Sequence, residues 1–196
     1  MKCDGLKKGV WSVLLLFCLV CGGCVANNGK QKLCQTLYSP YTAQANVVLG
    51  SGEQAVVLEA RITKSNESTR MDILSPLPYA GISAESVCGS VDRLSLAYDG
   101  VRAELPKGAL EGMGLVLELT SDPVVNVLER LPASDFVLPS DTDEAHTASV
   151  SFTQGPCAYR VEYDPANGTP VLLGVQTQTQ NIEIRILKFK PETPPS

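Results

Sequence analysis

The sequence predicts a mainly β, α+β domain: a curved antiparallel sheet or open half-barrel of about ten strands, with one or two short helices plugging its concave face. Three observations carry that expectation. Apolar residues recur at alternate positions through much of the chain beyond Pro40, turn-forming residues punctuate it at short intervals, and a well-formed amphipathic helical stripe occurs once.

In chain order, the first segment is not part of the domain. Leu14 to Cys24 reads Leu-Leu-Leu-Phe-Cys-Leu-Val-Cys-Gly-Gly-Cys, preceded by Lys7 and Lys8 and followed by polar Asn27, Asn28, Gly29 and Lys30. This is the charged, apolar and small-residue order of an export signal. As a helix, Val10 to Val20 would cover about 16 Å, against about 30 Å for a bilayer core, so cleavage is expected rather than a span. Gly22 and Gly23 before Cys24 resemble the lipobox of bacterial lipoproteins, although Cys21 stands where that family usually has Leu. The resemblance implies a diacylglyceryl group on Cys24; the competing reading is an ordinary signal peptide with incidental cysteines. One acyl chain holds a protein only marginally at a membrane, and two hold it firmly. The expected organisation is a cleaved signal over residues 1–23, a lipid-anchored tether over 24–36, one domain over 37–190 and a frayed tail over 191–196.

The strands follow. Tyr41 to Leu49 is rich in β-branched and aromatic residues and stops at Gly50-Ser51-Gly52. Val56, Leu58, Ala60 and Ile62 then alternate with Val57, Glu59, Arg61 and Thr63. Met71 and Ile73 share a face, and Pro76 and Pro78 end that strand. Gly81 to Val87 and Leu94 to Tyr98 continue the pattern. Asp99-Gly100 suits a two-residue type I′ turn returning through Val101 to Leu105. After Pro106-Lys107-Gly108, Ala109 to Leu119 is apolar but carries Gly112 and Gly114. Each interior glycine costs a helix about 1 kcal/mol, so a loop passing into a short apolar element is expected.

Ser121 or Asp122 can cap a helix with Pro123 in its first turn and Val124, Val127, Leu128 and Leu131 on one stripe, ended by Pro132. Ala133 to Thr147 reads as a solvated acidic loop; Asp141, Asp143 and Glu144 lack the glycine and the later Glu of a calcium loop. Ala148-Val150-Phe152, Tyr159-Val161-Tyr163, Val171-Leu173-Val175 and Ile182-Ile184-Ile186 complete the strands, with turns at Gly155-Pro156, Asp164 to Gly168 and Gln176 to Asn181.

A net charge of −5 and the lack of a Lys/Arg cluster argue against a nucleic-acid partner. Of seven cysteines, Cys34, Cys88 and Cys157 remain beyond the anchor, and their spacing does not pick a pair. With one histidine, His146, and no Cys-x-x-Cys beyond the anchor, neither a metal nor another cofactor is expected. No Gly-x-Ser-x-Gly elbow or paired catalytic set is present, so an enzyme is not expected.

The Met71-Asp72-Ile73-Leu74-Ser75-Pro76 stretch with Gly81-Ile82, and Tyr98-Asp99-Gly100 with Leu105-Pro106, resemble segments of the bacterial outer-membrane lipoprotein carrier and receptor family and of mycobacterial lipid-binding lipoproteins. The resemblance spans roughly Tyr41 to Lys190. It implies non-covalent binding of an acyl lipid or lipoprotein anchor in the cavity of the half-barrel. The candidate lining residues are Leu58 (or its neighbour Val57), Met71, Ile73, Leu96 and Val127, all of which serve equally well as plain core. The expected location is the extracytoplasmic face of a membrane in the cell envelope. The alternative is an anchored envelope-assembly or protein-interaction lipoprotein with no ligand cavity.

Overall fold

The computed structural model describes residues 27–52, 55–87, 93–106, 111–139 and 146–192. The signal segment, Cys24, Cys88, the Asp141–Glu144 cluster and the last four residues lie outside them. A helix α1 covers residues 27–38. Six strands follow: β1 (Tyr41–Leu49), β2 (Val56–Lys64), β3 (Ser68–Ser75), β4 (Ser83–Val87), β5 (Arg93–Tyr98) and β6 (Val101–Pro106). Helices α2 (Glu111–Leu119) and α3 (Asp122–Arg130) and a 3-10 turn (Ala133–Asp135) come next. The chain ends through β7 (Phe136–Val137), β8 (Ala148–Gln154), β9 (Cys157–Tyr163), β10 (Pro170–Gln176) and β11 (Asn181–Pro191).

All eleven strands form one antiparallel sheet in the order β6-β5-β4-β3-β2-β1-β11-β10-β9-β8-β7. Each half is a meander of neighbouring strands, and the first and last strands join the halves at the middle. The sheet is open between β6 and β7, where the chain leaves it to build α2 and α3.

Alternation decides which face is buried. Tyr41, Ala43, Ala45 and Val47 of β1 are buried, as are Leu58, Ala60 and Ile62 of β2, Met71 and Ile73 of β3, and the matching residues of β8 to β11. The register slips between Gln44 and Ala45 against β11, between Glu59 and Ala60 against β3, and between Pro170 and Leu172 against β9. The extra residues are Leu187, Leu74 and Val171, and each stands partly exposed. Each such bulge increases local twist and bends its strand, which is how a wide sheet curves around one buried face. The bulge at Leu187 also reverses the alternation: Ile182 and Ile184 face inward before it, and Phe189 packs on Tyr41 after it, with ring centroids 4.8 Å apart.

Three expectations are corrected. Residues 27–36 are not a tether, because α1 folds there and buries Leu33, Cys34 and Leu37, an i, i+4 pair with a neighbour on one face. Residues 111–119 are helical despite Gly112 and Gly114, since burying Val116, Leu117 and Leu119 contributes about 1.5–3 kcal/mol each and outweighs the glycine cost. Finally, β11 runs through Pro191, and Glu192 N–H donates to the Pro40 carbonyl, so the tail begins later than expected. The Asp99-Gly100 turn has the positive φ values expected, 47° and 78°.

Gly168 fixes how α1 sits on the sheet. It has φ 77°, and a Cβ there would lie 2.5 Å from the Lys32 carbonyl oxygen and 2.6 Å from Leu33 N. Gly155 also has positive φ, 59°, but faces open space. Gly168→Ala is expected to destabilise the fold by about 2–4 kcal/mol, and Gly155→Ala by only about 1 kcal/mol. Denaturant unfolding of both variants checks this; equal losses would show that α1 does not rest on the β9–β10 turn.

Candidate functional site

The candidate site is the apolar interior between the curved sheet and its helices. The expected lining residues fall on this side. Leu58 opposes Val47, Ile73 opposes Ala60, and Met71 lies between Ile62 and Ala84 in the strand pairing, with Leu96 next across from Ala84. Leu58, Met71 and Ile73 are buried in the common core; Leu96 and Val127 are half-buried against it. Val57 faces outward and is 52% exposed. On α3 the residues that bury fully are Val124, Val125 and Leu128.

Helix α2 covers this surface. It touches β3 and β4 on one side of the sheet and β10 and β11 on the other. Small residues lie on the inner face of the central strands, with Ala45 directly opposite Ala60, and they leave room for helical side chains. Val116, Leu117 and Leu119 are buried, while Met113 and Leu115 are only half-buried. The helix is therefore apolar around most of its circumference, unlike a surface helix with one stripe. Tyr159, stacked on Phe152 with ring centroids 4.9 Å apart, donates its hydroxyl to Glu118 Oε1 at 3.3 Å. Burial, and then the Glu118 carboxylate, push the Tyr159 phenol above its ordinary range.

A polar clamp holds the other two helices. Lys64 continues the inward phase of β2 and is 2% exposed, yet its ammonium donates to the Leu37 carbonyl and to Asp122 Oδ1, each at 2.6 Å. It thereby joins the C-terminal end of α1 to the first turn of α3. At the far end, Lys30 donates to the carbonyls of Glu129 and Leu131, where the α3 dipole is negative. Tyr38 donates to Asn126 Oδ1 at 2.6 Å between these ends. Helices α1 and α3 thus run antiparallel, and α1 covers the end of the sheet that carries Lys64 and the β9–β10 turn. Cys34 lies under this clamp; burial, then Glu129, push its thiol up to about 11, partly countered by Lys30. The Tyr163 hydroxyl, beneath Gly29, is buried without a hydrogen-bond partner, and burial is the main reason that its phenol is pushed up to about 12.

Among the described residues no three His, Cys, Asp or Glu side chains gather as metal ligands, and Cys34 and Cys157 are free thiols. No helix among them is long and apolar enough to cross a membrane. Two open clefts are lined by described residues. One, of about 700 Å³, borders Lys30, Cys34, Tyr38, Asn66 and Glu129. The other, of about 730 Å³, lies over Gly174, Arg160 and Glu183 of β9 to β11. Neither is lined by the five expected residues, which pack in or against the common core. Lys64 and α1 were not anticipated from the sequence. The signal for Lys64 was its phase, two residues after Ile62 on the buried side of β2; for α1 it was the spacing of Leu33 and Leu37.

Lys64→Met should lower stability by about 1–3 kcal/mol, because the Leu37 carbonyl loses its buried donor while half-exposed Asp122 can be hydrated instead. Asp122→Asn should cost at least as much, about 3 kcal/mol, because it leaves the Lys64 ammonium, 2% exposed, buried without its counter-charge. Urea unfolding of the two variants checks this; a loss below about 1 kcal/mol from Asp122→Asn would show that the pair behaves as an exposed one.

No family model and no curated protein matches the chain. Among solved structures it is similar to an uncharacterized conserved protein from Thermus thermophilus, at 11% identity and a TM-score of 0.48, covering 87% of this chain and 89% of that one. It is also similar to a LolA superfamily protein from Nitrosomonas europaea, at 9% identity and a TM-score of 0.45, covering 87% and 94%. A third similar structure is LprF from Mycobacterium bovis, at 12% identity and a TM-score of 0.43, covering 87% and 96%.

Proposed function

We propose that this chain is an envelope lipoprotein, anchored through a diacylglyceryl group on Cys24, that binds an acyl lipid or the acylated end of another lipoprotein in its interior. The observation that supports it is α2. A helix that is apolar around most of its circumference covers the inner face of an unclosed sheet and touches both halves of it. An acyl chain offers the same chemistry as the side chains of α2, so it can replace them against Leu58, Met71, Ile73 and Leu96 when the helix moves outward. Val127 on α3 borders the same space. Helices α1 and α3, held by Lys64 and Lys30, supply the fixed wall. Binding is non-covalent and needs no cofactor.

Two measurements test the two parts. The Cys24→Ser form should carry co-purifying lipid in native mass spectrometry and should bind a fluorescent fatty acid that long-chain fatty acids displace. Leu96→Glu should weaken that binding about tenfold or more, since it places a carboxylate beside the chain. A lipid-free protein with no affinity for the probe contradicts the carrier reading. Separately, Cys24→Ala should abolish metabolic labelling by radioactive palmitate, and persistent labelling would contradict the anchor.

A further inference from the structure

We infer that β6 is a self-association edge, and that two copies of this chain join by antiparallel pairing of β6 with β6 about a twofold axis at Ala103. Among the described residues, strand β6 ends the sheet and pairs only with β5. Its residues from Val101 to Glu104 are exposed, and Val101 is 70% exposed, the least covered of the described valines on the sheet. Such an edge presents a row of backbone donors and acceptors to any strand that fits it.

The register follows from the hairpin. Tyr98 pairs with Val101 across the two-residue Asp99-Gly100 turn, whose positive φ values of 47° and 78° are those of type I′. The residues flanking such a turn exchange both backbone hydrogen bonds, and the pattern alternates from there. Val101, Ala103 and Leu105 therefore direct their backbone groups at β5, and the backbone groups of Arg102 and Glu104 point to the edge. A second β6 can dock only with outward-pointing residues opposite one another. Centring the axis on Arg102 places two guanidinium groups opposite each other. Centring it on Glu104 opposes two carboxylates and brings Pro106, which has no N–H, against Arg102. Centring it on Ala103 instead sets Arg102 opposite Glu104 of the other copy twice, and Val101 opposite Leu105 twice.

The side-chain faces agree with this register. Arg102 and Glu104 share the outer face, while Val101, Ala103 and Leu105 share the inner one. The Arg102 side chain is 64% exposed; it donates Nε to Ser95 Oγ and one Nη to Glu85 Oε2, which leaves further N–H groups for a carboxylate across the axis. Glu104 keeps its contacts within its own chain, and a carboxylate accepts from more than one donor. The opposite edge of the sheet is the two-residue β7, too short for a matching ladder, so association closes at two copies instead of growing into a fibre. One strand pair buries less than the roughly 1,200–2,000 Å² of a stable complex, so the dimer forms in proportion to concentration, as on a crowded membrane surface. This inference does not depend on lipid binding.

Cysteine cross-linking in the full chain, in mild detergent with copper phenanthroline and air as the oxidant, tests the register. Residues opposed without exchanging hydrogen bonds lie about 4.5 Å apart at Cα, within disulfide range. Ala103→Cys should therefore give a cross-linked dimer joined at the two substituted positions, identified by peptide mass spectrometry. Val101→Cys, opposite Leu105 of the other copy, should give none above the parent chain. In the Ala103→Cys background, Arg102→Glu should reduce the yield roughly tenfold, and adding Glu104→Arg should restore it. Thermal melts confirm that each variant is folded. No dimer from Ala103→Cys, equal yields from both cysteine positions, or no rescue by the double reversal would each overturn the inference.

Discussion

The pairing of β1 with β11 dictates where the sheet opens and what must cover it. It places the two ends of the sheet-forming chain side by side at the centre, in register from Tyr41 to Leu49 with one bulge. The break in the sheet then has to fall in the middle of the sequence, between β6 and β7, and the segment bridging that break has to cover the face that the strands leave apolar. An unclosed sheet with one greasy face cannot stand in water uncovered. The bridging segment is α2 and α3, so topology alone puts helices over the apolar face.

The three helices meet this demand by different physics. Helices α1 and α3 are tied by polar contacts at both ends and in the middle, with Lys64 at one end, Lys30 at the other and Tyr38 between. Contacts of this kind have fixed geometry, and a buried carbonyl that loses its donor is costly. Helix α2 rests mainly on apolar surface, with the Tyr159–Glu118 hydrogen bond as a polar tie, and its two glycines lower its intrinsic helical stability. On the proposed reading, α2 is the element that moves while the clamp holds α1 and α3, and an acyl chain competes with α2 on equal chemical terms and with the clamp on none.

Most strands were legible in the sequence because period-two alternation and glycine turns act locally: Tyr41–Leu49 and the Asp99-Gly100 hairpin needed no tertiary information. The failures share one cause, which is that tertiary burial overrode a local signal. Gly112 and Gly114 disfavour a helix in isolation, yet Val116, Leu117 and Leu119 make one worthwhile once a sheet lies beneath. Residues 27–36 look polar until Leu33 and Leu37 are seen to meet the end of the sheet. Lys64 was hidden because a lysine on a buried phase makes sense only when the Leu37 carbonyl and Asp122 come to it from distant parts of the chain. Of the candidate lining residues, alternation placed Leu58, Met71, Ile73 and Leu96 on the inner face. It could not distinguish a lining residue from a core residue, since the two have the same composition.

Under the proposed function, the interior is a site closed by a displaceable α2 within a framework fixed by α1, α3 and the β1–β11 seam. Amide hydrogen exchange followed by mass spectrometry tests it most directly, because it reports local opening element by element. Residues 111–119 should exchange faster than residues 122–130 and than β1 and β11, and saturating long-chain fatty acid should change exchange in 111–119 while leaving the seam unaltered. Protection of 111–119 equal to that of the seam, with no response to the fatty acid, would contradict the claim.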